Sequence, residues 1–315
     1  MERREFLQKT TAASVLALTG GLPTPAHTAQ EGRPMPKKHS FKLKYAPHFG
    51  MFKASAGDDL LDQLRFIHDA GFTAFEDNGL MKRPADVQQQ IGDLLAKLNM
   101  TMGVFVIDAG DNWKVSYATG KAEFREPFLK ACREAVDVAR RVNARWMTVV
   151  PGFFERTLPI GIQTGHVIDV LKAGADILAP HNLTMVLEPL SDNPDLFLRY
   201  SDQTYMICRA VGSPACKILF DMYHMQRNEG RIIDHMNWAW TEIAYFQIGD
   251  VPGRKEPGTG EMHYQNIFKH IYERSRQEGH EYVLGMEHGN AYPGAEGELK
   301  LIDAYAQVDA FEAAS

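Results

Sequence analysis

Cysteine is scarce in this chain. Cys132, Cys208 and Cys216 are the only three among 315 residues, and no two stand in a CxxC spacing. An odd, scattered set excludes a disulfide framework and a zinc ribbon, and reads as three reduced, buried thiols. Positive charge is not in excess either. With 34 Lys and Arg against 40 Asp and Glu the formal charge is −6, the wrong sign for the basic footprint of a sequence-independent nucleic-acid binder. A long apolar run is also missing near the N-terminus. The weakly apolar stretch from Thr10 to Leu22 falls short of the roughly 20 residues a membrane-spanning helix needs, so no stable membrane insertion is expected. The remaining composition, 44% hydrophobic, 10% aromatic and 23% charged, belongs to a globular chain of catalytic size. Its length accommodates either two modest domains or one large α/β barrel.

The first residues form a separate segment. Positions 2–9 read ERREFLQK, with Arg3-Arg4 followed by Phe6-Leu7 and Lys9. This pattern resembles a twin-arginine export signal with a mild Ala-, Leu-, Thr- and Gly-containing apolar region. Residues 1–29 are accordingly expected to be a signal peptide, with imperfect A-x-A sites at Thr24–Ala26 and His27–Ala29. Residues 30–40 read as a polar linker and residues 41–315 as the working domain. The expected destination is the periplasm; an inactive signal would leave the chain in the cytoplasm. The route carries folded cargo, which suits an enzyme that takes up its metal before export.

From Phe41 onward the length is close to the roughly 250 residues typical of a (β/α)8 barrel. Short apolar strands are expected near 43–48, 72–76, 101–107, 145–150, 183–189, 217–221, 243–248 and 281–287. Helical spacing separates them. Between Asp58 and Ala70, Leu60, Leu61, Leu64 and Ile67 recur with the period of a helix, and Gly71 offers a stop. The stretches 124–142, 165–178 and 264–277 behave alike. Strands alternating with helices argue for a parallel sheet, and eight such units favour closure into a single-domain (β/α)8 TIM barrel of the α/β class.

Barrel active sites lie at the C-terminal ends of the strands, so polar residues there carry information. Four late strands each end in a potential ligand: Glu188 in VLEPL, Asp221 in LFDMYH, Gln247 in YFQIGD and Glu287 in GMEHG. Each directly follows apolar residues, where a lone carboxylate is costly unless paired or coordinated. An isolated strand-end acid is ordinarily a helix cap or turn residue; four in successive strands make that explanation weak. Three carboxylates and an amide oxygen form a hard donor set suited to Mg²⁺ or Mn²⁺.

The segments VLEPL (186–190), DMYHMQRNEG (221–230) and QIGDVPGRKEPGTGE (247–261), with AGDNW (109–113) earlier in the chain, resemble the hydroxypyruvate isomerase branch of the xylose isomerase-like barrel family. The likeness extends over the whole working domain and is strongest from about 183 to 290. The resemblance implies that Glu188, Asp221, Gln247 and Glu287 hold one divalent ion, and that Glu188 and Glu287 also exchange the substrate's proton as an acid/base pair. It implies that His224 contacts a substrate hydroxyl or carbonyl, that Arg254 grips the substrate's far end, and that the chain forms a homo-oligomer. Three places depart from the family pattern: Tyr245-Phe246 before Gln247, His288 after Glu287, and the first strand YAPHFGMF (45–52). All three lie around the substrate rather than the ion.

The expected activity is therefore a metal-dependent isomerisation or epimerisation of a small keto acid or sugar through an enediolate. A lyase or dehydratase would use the same enolate and expel a β substituent. An endonuclease IV-like phosphoesterase would need a histidine-rich cluster of several metals, whereas one histidine stands among the late strand-end candidates. A non-catalytic sugar-binding barrel is the remaining class. Asp250 and Glu256 of the PGR loop are candidates for positioning Arg254, and His48 and Glu76 close the first two strands on the same rim. Trp113, Phe153 and Phe154 are candidate walls for a sugar face.

Overall fold

The computed structural model describes residues 36–110 and 113–313. The expected signal peptide, the first part of the linker, and Asp111 and Asn112 of the AGDNW loop lie outside the described residues. Nine short strands alternate with helices: β1 Lys44–Ala46, β2 Ala74–Phe75, β3 Thr101–Met102, β4 Phe105–Val106, β5 Trp146–Val149, β6 Thr184–Leu187, β7 Cys216–Asp221, β8 Ile243–Gln247 and β9 Val283–Gly285. The main helices are α1 Lys53–Ala56, α2 Leu60–Asp69, α3 Ala85–Lys97, α4 Ala122–Val142, α5 Ile160–Leu178, α6 Ser201–Val211, α7 Met222–Asn228, α8 Ile232–Ala239, α9 Tyr264–Glu278 and α10 Gly294–Asp309.

The strands form a parallel ring. One arc runs in the order β1-β9-β8-β7-β6-β5-β4, and β2 pairs with β3. The arcs meet at two places. A parallel bridge between His48 and Glu76 joins the ends of β1 and β2, and β3 continues into β4 after the two residues Gly103 and Val104. The third expected strand, 101–107, is thus one strand of the ring broken in the middle. Side chains alternate across a strand, and the interior shows it directly. Ala46, Ala74, Val104, Trp146, Val186, Leu219, Tyr245 and Val283 form a buried apolar cluster inside the ring, one residue from each of the eight staves. The larger cluster lies between strands and helices.

The helices close this outer layer by ordinary means. In α2, Leu64 and Ile67 are fully buried, Asp59 caps the first turn by accepting from the Asp62 N–H, and Gly71 ends the segment at φ +102°. A Cβ at Gly71 would lie 2.0 Å from the His39 carbonyl oxygen, so glycine is required there by both conformation and space. The helix after the PGR loop begins at Tyr264, where the 264–277 pattern starts, with His263 as its cap.

Candidate active site

Two residues beyond the inner apolar cluster, the same staves turn polar. His48, Glu76, Thr148, Glu188, Asp221 and Gln247 follow Ala46, Ala74, Trp146, Val186, Leu219 and Tyr245 at the strand period of two, so they point into the ring at its C-terminal end. Glu76, Thr148, Glu188, Asp221 and Gln247 are all buried. Buried polar atoms normally have partners. Here Glu76 Oε1, Thr148 Oγ1, Gln247 Oε1 and His224 Nε2 are buried with none. Four such atoms gathered at one end of the ring are expected of a place that receives an ion, water or substrate.

Glu188, Asp221 and His224 converge so that a ligand atom from each lies within 4.8 Å of the others. Asp221 does two things. Its Oδ1 accepts from the N–H groups of Tyr223 (2.7 Å) and His224 (3.3 Å), capping α7, which leaves Oδ2 facing the site. His224 Nδ1 accepts from the Ser191 backbone N–H at 3.2 Å, so the neutral imidazole carries its proton on Nε2. That nitrogen points at Asp221 Oδ2 (3.5 Å) and Glu188 Oε1 (3.7 Å). A protonated Nε2 is a donor and not a metal ligand, which fits the expected role of His224 as a substrate contact. Burial depresses its pKa, against the pull of Asp221.

Arg254 is held inside the same network. It occupies the left-handed region at φ +50°, and its guanidinium stacks 4.9 Å from the Tyr223 ring centroid. One terminal nitrogen donates to Glu287 Oε2 (2.7 Å) and Asp221 Oδ2 (3.1 Å), and Nε donates to the Glu287 carbonyl (3.0 Å). Burial works against the charged guanidinium, yet Glu287 and Asp221 hold it protonated, above its ordinary value. Arg254 therefore touches two of the expected ligands themselves. Asp250 and Glu256, the candidates for positioning Arg254, are buried staples. The Asp250 carboxylate accepts from the N–H groups of Val251, Gly258, Gly260 and Met262, and Glu256 accepts from Ala291 N–H at 2.8 Å. They fix the loop that carries Arg254.

Glu287 follows β9 with its side chain 26% exposed. Its Oε1 accepts from Asn78 Nδ2 at 2.9 Å. Desolvation pushes its carboxyl up to about 7, against the lowering influence of Arg254. Glu188 is raised as well, first by burial and then by Glu287 and Asp221. Gln247 places its carbonyl oxygen in the layer without a partner. Its amide also lowers the pKa of Glu76, which burial otherwise raises.

The structure gathers Glu188, Asp221 and His224 into one donor group, ties Glu287 to Asp221 through Arg254, sets Gln247 beside Asp221 in the sheet, and adds three residues the sequence did not single out. Asn78 holds Glu287. Ser191 fixes the His224 tautomer. Asp192 carries a further carboxylate 3.9 Å from His224 Nε2. Each of them lies on a loop just past a strand-end acid, and that position was their one signal. Of the candidate aromatic wall, Trp113 and Phe153 meet edge to face at 6.2 Å. His48 is turned to backbone carbonyls, 2.8 Å from the Phe49 oxygen and 3.4 Å from the His288 oxygen.

Comparison with known proteins places this arrangement. The family described as "Xylose isomerase-like TIM barrel" matches residues 64–305. Hydroxypyruvate isomerase of Escherichia coli is 30% identical over 186 residues, covering 58% of this chain and 68% of that protein. 2-oxo-tetronate isomerase of Cupriavidus necator is 34% identical over 104 residues, 32% of this chain and 40% of that protein. Among solved structures, a protein described as an AP endonuclease of family 2 from Brucella melitensis superposes with a TM-score of 0.70 at 23% identity, over 84% of this chain and 99% of that one. An E. coli 3-keto-D-glucoside 4-epimerase gives 0.69 at 17%, over 84% and 98%. At those identities the two structures show the fold alone.

Proposed function

We propose that this chain, an isomerase that belongs to the xylose isomerase-like TIM barrel family on its hydroxypyruvate isomerase-like branch, removes a proton alpha to a carbonyl in a small keto acid or sugar and returns it to the neighbouring carbon or to the opposite face. The observation that carries this reading is the convergence of Glu188, Asp221 and His224, with Glu287 tied to Asp221 through Arg254 and Gln247 Oε1 unpartnered at the same end of the ring. Glu188, Asp221, Gln247 and Glu287 offer oxygen donors only, a set that fits Mg²⁺ or Mn²⁺. A divalent ion held there supplies a Lewis acid for negative charge developing on the substrate's oxygens.

The chain's own groups carry the proton. A carboxylate within reach of the substrate's C–H is suited to general-base work, and Glu287 is held in place for it by Arg254 and Asn78. Glu188, raised by burial, stands on β6 as its counterpart. The Nε2–H of His224 donates to a substrate oxygen, and Arg254, fixed by the Asp250 and Glu256 staples, orients the substrate from the β8 side. Return of the proton to the neighbouring carbon gives an isomer; delivery by the second carboxylate to the other face of the same carbon gives an epimer.

The test is NMR of small keto acids, ketoses and keto-sugars in D₂O with metal-loaded enzyme. Substrate-dependent deuterium uptake is expected in the wild type. Glu188→Gln and Glu287→Gln should lose turnover by roughly 10²–10⁴-fold at verified metal content. Wild-type turnover in both variants, or no exchange by the wild type on any substrate, overturns the reading.

A further inference from the structure

The loop leaving β6 carries Asp192 to the mouth of the site, with its side chain 32% exposed. Its Oδ2 stands 3.9 Å from His224 Nε2, and its Oδ1 stands 3.8 Å from an Arg227 terminal nitrogen. Arg227 is anchored in turn, donating to Tyr223 Oη at 3.2 Å and lying over the same ring that Arg254 stacks on. Asp192 raises the proton affinity of Glu188, His224, Arg254 and Glu287.

The separation between Asp192 and His224 has a chemical meaning. His224 Nε2 is fully buried and makes no hydrogen bond within the protein, its carboxylate neighbours standing 3.5–3.9 Å away, too long for a direct one. The nitrogen offers a proton and the carboxylate offers only lone pairs. A hydroxyl group satisfies both at once, because its oxygen accepts from the imidazole while its hydrogen is donated to the carboxylate. A carboxylate in that place could accept from His224 but would meet a like charge at Asp192 with nothing to donate.

Charge balance points the same way. Glu188, Asp192 and Asp221 gather around the neutral His224 ring, and ion pairs join Asp192 to Arg227 and both Asp221 and Glu287 to Arg254. Four carboxylates face two guanidiniums, and a divalent ion would bring the set to neutrality. A carboxylate substrate would then add an uncompensated charge. Without Asp192 the same set would be positive and would welcome one.

We propose that Asp192 and His224 together read a substrate hydroxyl, and that Asp192 is a charge filter favouring uncharged hydroxycarbonyl substrates, ketoses or keto-sugars, over carboxylate-bearing ones. The inference rests on the proton-transfer reading above and narrows its substrate class. Asp192→Asn keeps the size and an accepting oxygen but removes the charge; Asp192→Ala removes both. Each is compared with the wild type on a ketose and on the keto acid of equal carbon number, by kcat/KM. Binding of the matching polyol and sugar acid is measured alongside by calorimetry on metal-loaded protein. The wild type should prefer the uncharged member of each pair. In Asp192→Asn the acid-to-neutral ratio should rise roughly tenfold in both turnover and binding, and in Asp192→Ala the polyol should also weaken. A ratio unmoved by either variant, or a wild type that binds the acid more tightly than the polyol, overturns the filter. Failure of the proton-transfer reading looks different: no deuterium enters any substrate, while the binding ratio still decides the part played by Asp192.

Discussion

His288, one residue past Glu287, is 4% exposed. Its Nδ1 donates to the Gly289 carbonyl at 3.1 Å, and its Nε2 accepts from Tyr305 Oη at 2.8 Å. Both ring nitrogens are thus used by the neutral form. Burial holds its pKa down at about 3, against an ordinary 6.5. The unfolded chain therefore takes up a proton that the native chain refuses between those values, and stability falls as pH drops through that window. At 1.36 kcal/mol per unit, the loss amounts to roughly 3 kcal/mol near pH 4. His288→Gln, which cannot titrate, should flatten the fall of the urea midpoint between about pH 6 and pH 4; an unaltered slope would place the acid sensitivity elsewhere. His288 also shows what one residue reveals in sequence. Glu188, Asp221, Gln247 and Glu287 stand out because each breaks an apolar strand at the rim where barrels keep their sites. Asp192 and Asn78 belong to SDNPD and EDNG, where Asp and Asn are ordinary turn residues, so only the folded positions of His224 and Glu287 give them meaning.

Elements were legible where the pattern was local and obscured where a distant side chain intervened. The stretch 101–107 carries the composition of one strand, yet it breaks at Gly103, where a Cβ would lie 2.3 Å from Tyr245 Oη. That hydroxyl donates to Glu76 Oε2 at 2.9 Å beneath the polar layer. Across the ring, a Cβ at Gly285 of β9 would lie 2.0 Å from the same Glu76 oxygen. Two glycines on separate strands thus clear the space for one buried acid–phenol pair, a relation no window of sequence contains. Gly285→Ala should force Glu76 off Tyr245 and cost about 1–3 kcal/mol, the usual range for overpacking. Adding Glu76→Ala to that variant should recover part of the loss, because the colliding carboxyl is gone, so the two changes should be non-additive in a denaturation cycle. Additive losses would show that Gly285 and Glu76 do not compete for this space.

At the scale of the molecule, the ring must close before the site exists. Its groups come from β6, β7, β8 and the loops after β2 and β9, and the two arcs join only through the short contacts at His48–Glu76 and Gly103–Val104. Cys132, Cys208 and Cys216 are buried free thiols, and burial pushes the Cys132 thiol up to about 12, so reductants have no cross-link among them to break. Among the described residues, no helix is long and apolar enough to cross a membrane. We propose that this order of events explains the RREFLQK segment at Arg3-Arg4: the barrel forms first, and a route for folded cargo then carries it out. Replacing Arg3-Arg4 by Lys-Lys should leave the protein in the cytoplasm, with the thermal midpoint and metal content of the exported wild type. Fractionation, metal analysis and scanning calorimetry on both proteins make the measurement. Equal export of the Lys-Lys variant would remove the twin-arginine assignment. A retained variant that folds without metal, beside an exported wild type that carries it, would keep the route but place metal loading after export.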